Sequence, residues 1–257
     1  MPRASRHFLP GHVWHITHRC HERAFLLRFA RDRRFWRARL YEAYRRHGLC
    51  VLNYIVTRNH VHLLVRDGGV GEIARSIQLI AGRTGQAFNR RKQRKGAFWE
   101  DRYHATAVES GEHLARCLVY IDLNMVRAGA VSHPREWESG GYREIQSPPS
   151  RYQVLDLEAL ADALGLSSVE QLQDCHRRWV DDALDSGAVT RDDRWTRSLA
   201  VGSEPFVQRI QQEMGLEARF RAIESDGVAA CLREPAAAYE AIFEPEKGPL
   251  TGFWGSK

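Results

Sequence analysis

The tightest constraint on the fold is a pair of apolar, alternating runs, LCVLNYIVT and HVHLLVR, joined only by the polar link Arg58–Asn59. Alternate residues of a strand share a face, so two such runs on a short link read as an antiparallel hairpin. Upstream, HVWHITHRC also alternates bulky and polar residues and reads as a strand. Between them, about Ala30–His47 puts Phe35, Leu40 and Tyr44 at helical spacing, and Gly48 stands where a C-cap belongs. A second helix is expected over about Gly71–Arg91, with Ile73, Ile77, Ile80 and Phe88 inward. A strand over about Arg102–Glu109 and a third helix over about Gly111–Arg127 follow. This order predicts an α+β domain, a ferredoxin-like split βαβ arrangement on an antiparallel sheet. Pro148-Pro149 mark a linker that divides residues 1–147 from a smaller, helical C-terminal region, 148–257. Helices are expected there at about Leu155–Leu164, Ser168–Leu184 and Glu204–Met214. An extended tail from about Glu244 carries Phe253 and Trp254, aromatics that can dock on the body.

Charge separates the two parts. Residues 1–147 hold 26 Lys+Arg against 13 Asp+Glu, a net +13, and the remainder holds 12 against 19, a net −7. A basic module of this kind suits a polyanion, although arginines on a solvated surface give the same count. Opposite charge suggests that the acidic region docks over the basic groove and restrains access to it. No run of about 18 apolar residues suggests a membrane span, and the start MPRASRHFLPGH lacks the apolar stretch of a signal peptide. The expected location is the cytoplasm, with the nucleoid. Five scattered cysteines without a CxxC pair read as reduced thiols and exclude a zinc ribbon.

His60-Val61-His62 is the sharpest local signal, because two imidazoles two apart on a strand can share one divalent cation while Val61 faces the core. The bland alternative is one buried, hydrogen-bonded histidine and one exposed. In CLVYIDLNMVRAGAV, Tyr120 and Asn124 stand one helical turn apart, with Arg116 and Arg127 nearby. Asn124 can offer an amide oxygen as a third ligand, which suits Mg²⁺ or Mn²⁺. A phenol with a pKa near 10 attacks phosphorus poorly unless the phosphate is polarised. A helix-surface tyrosine and a capping asparagine fit the same letters.

Four segments, THRCHERAFLL, the hairpin with NHVHLLV, FWEDRYHATAVES and YIDLNMVRAGAV, together resemble the REP-associated tyrosine transposases, single-strand transposases of the HUH type. The resemblance spans about residues 10–145 in the family's order. It implies a ferredoxin-like catalytic fold, His60 and His62 as metal ligands, Asn124 completing the shell, and Tyr120 as the nucleophile. It also implies a 5′-phosphotyrosine link to single-stranded DNA beside a hairpin of REP-like palindromic type, DNA transposition without ATP, and a monomer. Three departures from the family pattern stand out: Thr57-Arg58 replaces Met-Pro, Met125 replaces Pro, and His104 replaces Lys. None is a proposed ligand or the nucleophile. Tyr103 is the rival nucleophile, without a helical partner like Asn124.

For DNA contact the candidates are Arg90, Arg91, Lys92, Arg94, Lys95, Arg102 and Arg127. Trp14, Phe98, Trp99 and Tyr103 are candidates to stack unpaired bases. His15, Thr17 and His18 either contact DNA or support the metal histidines. Two alternatives compete with the transposase reading: a domesticated hairpin-binding protein without cleavage, and a nuclease that uses water.

Overall fold

The computed structural model describes residues 8–187, 190–218 and 221–233; the tail with Phe253 and Trp254 lies outside the described residues. Strand β1 (Val13–Arg19), helix α1 (Ala30–His47), β2 (Cys50–Val56), β3 (His60–Arg66), α2 (Glu72–Arg91) and β4 (His104–Val108) follow one another as expected. The strands lie in the order β2-β3-β1-β4, each neighbouring pair antiparallel, which is the ferredoxin-like arrangement. Helix α3 (Glu112–Asp122) and the single turn α4 (Asn124–Arg127) replace the one helix expected over 111–127. They are separated only by Leu123.

Gly48 ends α1 in the left-handed region (φ 67°), its N–H bonded to the Tyr44 carbonyl at 3.0 Å. The buried stripe of α1 runs through Asp32, Trp36, Leu40 and Ala43. Phe35 is only half-buried and Tyr44 is exposed, because the five-residue step from Phe35 to Leu40 turns about 140° around a helix. Asp32 is tolerated in that stripe by an ion pair with Arg91 of α2 at 2.5 Å. In α2, Ile73, Ile77, Ile80 and Phe88 are all buried, as their spacing requires.

The β2–β3 register slips between Val51 and Asn53, so Asn53 stands opposite Leu64 and Tyr54 opposite Leu63. Neighbouring residues of β2 thereby reach opposite layers. The Tyr54 hydroxyl accepts from Arg37 of α1 at 3.1 Å, while the Asn53 amide donates to Asp122 of α3 at 3.0 Å. Helices α1 and α3 therefore cover opposite faces of the sheet.

Beyond the Pro148-Pro149 loop, α6 (Leu157–Ala163), α7 (Val169–Asp185) and α9 (Glu204–Met214) stand close to the expected helices. The short helix α5 (Tyr142–Gln146) precedes that loop, and α8 (Arg194–Arg197) lies between α7 and α9. The region is not wholly helical, however. Strands β5 (Ala200–Gly202), β6 (Ala222–Ser225) and β7 (Ala230–Arg233) extend the same sheet to seven strands among the described residues. β5 runs parallel to β4, with Ala107 opposite Ala200 and Val108 opposite Val201. At the other edge, the Asp156 N–H bonds the Val51 carbonyl at 2.8 Å and Leu155 bridges to Val51. Both edges of the four-stranded unit are thus occupied by later chain, which leaves neither as an open template for pairing. All five cysteines are free thiols, three of them buried. No described helix is long and apolar enough to cross a membrane.

Gly202 is where β5 meets this unit most closely. A Cβ there would stand 2.5 Å from Phe206 Cδ1 and 2.7 Å from Glu109 Cβ. Gly202→Ala is expected to lower unfolding stability by about 1–3 kcal/mol. A urea midpoint equal to that of the parent protein would contradict this packing.

Candidate functional site

Alternation along β1 and β3 builds the site. Thr17 lies opposite His62, and Arg19 opposite His60. His15, Thr17 and Arg19 share one face of β1, as His60 and His62 share one face of β3, and this is the face that α3 covers. The His60 and His62 rings stand nearly perpendicular with centroids 4.9 Å apart. His60 Nδ1 donates to Asn59 Oδ1 at 2.8 Å, an acceptor-only oxygen, so its Nε2 carries the lone pair. His62 is buried, with Nδ1 2.8 Å from His15 Nε2 and Nε2 3.0 Å from the Asn124 amide nitrogen. His15 Nδ1 in turn lies 2.9 Å from the Trp195 carbonyl oxygen.

Tyr120 brings its ring edge-on to His62 with centroids 5.9 Å apart, and also packs near His15 and Trp195. The break at Leu123 lets Arg127 fold back over it. The guanidinium lies 4.1 Å from the ring centroid, and Nη2 donates to the Tyr120 carbonyl at 2.6 Å. Tyr120, His60, His62, Asn124 and Arg127 line one open cleft, with Arg19, Arg23 and Arg191 around it. Sequence reasoning missed these last three. Arg19 was legible by alternation, two residues beyond Thr17. Arg191 comes from the C-terminal region and carries no local signal.

Burial sets the electrostatics. It pushes the Tyr120 phenol above its ordinary value, while Arg127 opposes the shift. Burial also drives His15 down to about 3 and His60 to about 4, the latter helped by Arg19, Arg191 and Arg127; burial, then His15 and His60, then Arg127 and Arg19 hold His62 well below its ordinary value. All three imidazoles are neutral at pH 7, the form that binds cations. No three His, Cys, Asp or Glu side chains group as a metal site among the described residues. The donor set is therefore two imidazoles plus the Asn124 amide, whose oxygen faces the cleft once the amide is turned over. That mixture fits a divalent cation of the Mg²⁺ or Mn²⁺ class.

Two of the expected DNA contacts are corrected. Trp14 is 2% exposed and packs edge-on against Phe8, because it faces away from the cleft side of β1. His15 is fully buried between His62 and Trp195, so it supports the histidine rather than touching a ligand. Of the other aromatics, Phe98 is buried and Trp99 is stacked on His18 at 4.1 Å, while Tyr103 is half-buried against Phe8. The large exposed rings among the described residues are instead Phe25, Phe29, Tyr44 and Tyr152, with Arg28 and Lys92 over Phe29. Arg90, Lys92, Lys95 and Arg102 are exposed. Arg91 is held by Asp32, and Arg94 by the Asn89 side chain and the Ala97 carbonyl. The loop carrying Lys92 and Lys95 returns beside the cleft, where the Glu100 N–H bonds the Arg19 carbonyl at 2.9 Å.

The depressed histidines make folding acid-sensitive. Below about pH 6.5 the unfolded chain protonates these rings while the folded chain does not, so stability present at neutral pH is lost as pH falls toward 4. Each histidine contributes about 1.4 kcal/mol per pH unit across that window. In chelator, the urea midpoint is expected to drop steeply between pH 6.5 and 5. A flat profile would contradict the burial of these rings.

Residues 10–124 match the family profile "Transposase IS200 like", a span that includes His60, His62, Tyr120 and Asn124. No curated protein matches the chain. Among solved structures, a REP-associated tyrosine transposase bound to a REP hairpin is 18% identical, with 61% of this chain and 94% of that chain covered and a TM-score of 0.48. A Deinococcus radiodurans R1 protein assigned as a transposase is 15% identical, with 45% and 92% covered and a TM-score of 0.34. Over residues 10–124 the chain is therefore similar to the IS200-like transposases.

Proposed function

We propose that this chain nicks and rejoins single-stranded DNA beside a hairpin of REP-like type, with Tyr120 as nucleophile. The observation that carries the reading is the Tyr120 ring set edge-on to His62 in a cleft shared with His60, Asn124 and Arg127. The Tyr120 oxygen bonds to phosphorus as the P–O3′ bond breaks, and the phenol's proton ends on the departing oxygen. The products are a 5′-phosphotyrosine and a free 3′-OH, so a later attack by a hydroxyl reseals the strand with no net loss of bond energy. A divalent cation held by His60, His62 and Asn124 would supply charge neutralisation at the non-bridging oxygens.

The chain's own groups do the rest. Arg127 favours the phenolate, against the burial that disfavours it. Arg19, Arg23 and Arg191 attract the backbone phosphates around the cleft. Exposed Lys92, Lys95 and Arg102 add further positive charge, and exposed Phe25 and Phe29 offer faces for unpaired bases. Nucleophile and metal donors come from one chain, so we propose that a monomer suffices.

A labelled single-stranded hairpin oligonucleotide with Mn²⁺ tests the reading. A covalent adduct is expected on denaturing gels, absent in Tyr120→Phe and slowed about 100-fold in Arg127→Ala. Binding without cutting would favour a domesticated hairpin binder. A free 5′-phosphate that survives Tyr120→Phe would favour a water-using nuclease.

A further inference from the structure

The contacts behind His62 run in one direction. A carbonyl oxygen only accepts, so the hydrogen between Trp195 and His15 belongs to His15 Nδ1. A neutral imidazole has one N–H, which leaves His15 Nε2 bare. The 2.8 Å contact to His62 then needs its hydrogen from His62 Nδ1, which leaves His62 Nε2 bare in turn. In the cation-free chain that nitrogen accepts from the Asn124 amide nitrogen at 3.0 Å, a contact that ends when the amide turns over. Both rings are buried, His15 fully and His62 to 1% exposure, which favours their neutral form. The Trp195 carbonyl is itself fixed. It belongs to the four-residue helix α8 and lies 3.2 Å from the buried Thr106 hydroxyl, whose one hydrogen is shared with the nearer Ser198 carbonyl at 2.7 Å.

We infer that the Trp195 carbonyl sets the tautomer of His62 through His15, making His15 a positioning residue that holds the His62 Nε2 lone pair toward the cleft. The inference rests on the reading of His62 as a metal ligand. It also gives the C-terminal region a role that its acidic charge did not suggest. The segment at the end of α8 docks on β1 and β4 and orients a ligand that it never touches. Without the docked carbonyl, His62 is free to carry its proton on Nε2, where it blocks cation binding.

The test uses the full chain, metal-free, at pH 7, with the His62 tautomer read from two-bond ¹H–¹⁵N NMR correlations of the imidazole nitrogens. The parent protein is expected to show His62 protonated on Nδ1. His15→Leu removes the nearer acceptor, leaves only the Thr17 hydroxyl at 3.4 Å, and is expected to shift His62 toward the Nε2–H form. Mn²⁺ affinity, measured by electron paramagnetic resonance, is expected to weaken about 10- to 100-fold in that variant. His15→Gln, whose amide can donate to Trp195 and accept from His62, is expected to restore both. An Nε2–H tautomer in the parent protein overturns the inference even if no variant folds. So does a folded His15→Leu protein with an unchanged tautomer or unchanged affinity. If the tautomer responds as expected but the parent protein binds no Mn²⁺, the relay stands and the metal reading of His62 fails.

Discussion

The antiparallel pairing of β1 with β3 at the centre of the sheet is the contact on which the site depends. Each strand alternates, so one face presents Trp14, Ile16, Val61 and Leu63, and the other presents His15, Thr17, His60 and His62. The first face is satisfied by apolar packing. The second is also largely buried, and there every ring nitrogen needs a partner, because an unpaired buried polar group costs about 1–3 kcal/mol. His62 is only 1% exposed and His15 not at all. A four-stranded unit with α3 alone does not supply those partners. The end of α8 does, with carbonyls aimed at His15, Thr106 and His104.

The acidic region thus meets this face through backbone carbonyls rather than through its net charge. Several of its acids are neutralised close to home: Asp192 pairs with Arg194, and Asp193 with Arg233 and Arg197. The region lines the cleft with Arg191 and Thr196, and at the Tyr120 phenol Arg191 and Asp192 act with opposite signs. A segment's summed charge describes its far field, whereas the potential inside a cleft is set by the few groups that reach it.

The central unit was legible in the sequence because its signals are local. The hairpin, the period of α2 and the Gly48 cap each lie within one element. The misreadings came where the right period was not followed through. In α1 the step from Phe35 to Leu40 breaks the helical period, and the stripe through Trp36 keeps it. In β1, Trp14 and His15 were placed on one DNA surface although neighbours on a strand face opposite ways; the same rule points to Arg19. Strands β5, β6 and β7, with three or four residues each, are too short to show any period. β5 exists because β4 offers an unpaired edge nearly a hundred residues earlier, which no local pattern records. Trp195 is hidden for the same reason, since its backbone carbonyl acts and any residue supplies one.

Tyr120 shows how burial and chemistry pull against each other. A nucleophile must be sheltered to be held in line, yet shelter raises the pKa of a phenol and disfavours the reactive phenolate. A regular helix would carry Arg127 about 10 Å along the axis from Tyr120. The interruption at Leu123, together with the length of the arginine side chain, brings the guanidinium back to 4.1 Å from the ring. Asn124, one turn from Tyr120, meets His62 from the same side. The segment thus sets a cation against the phenol and an amide against the imidazole.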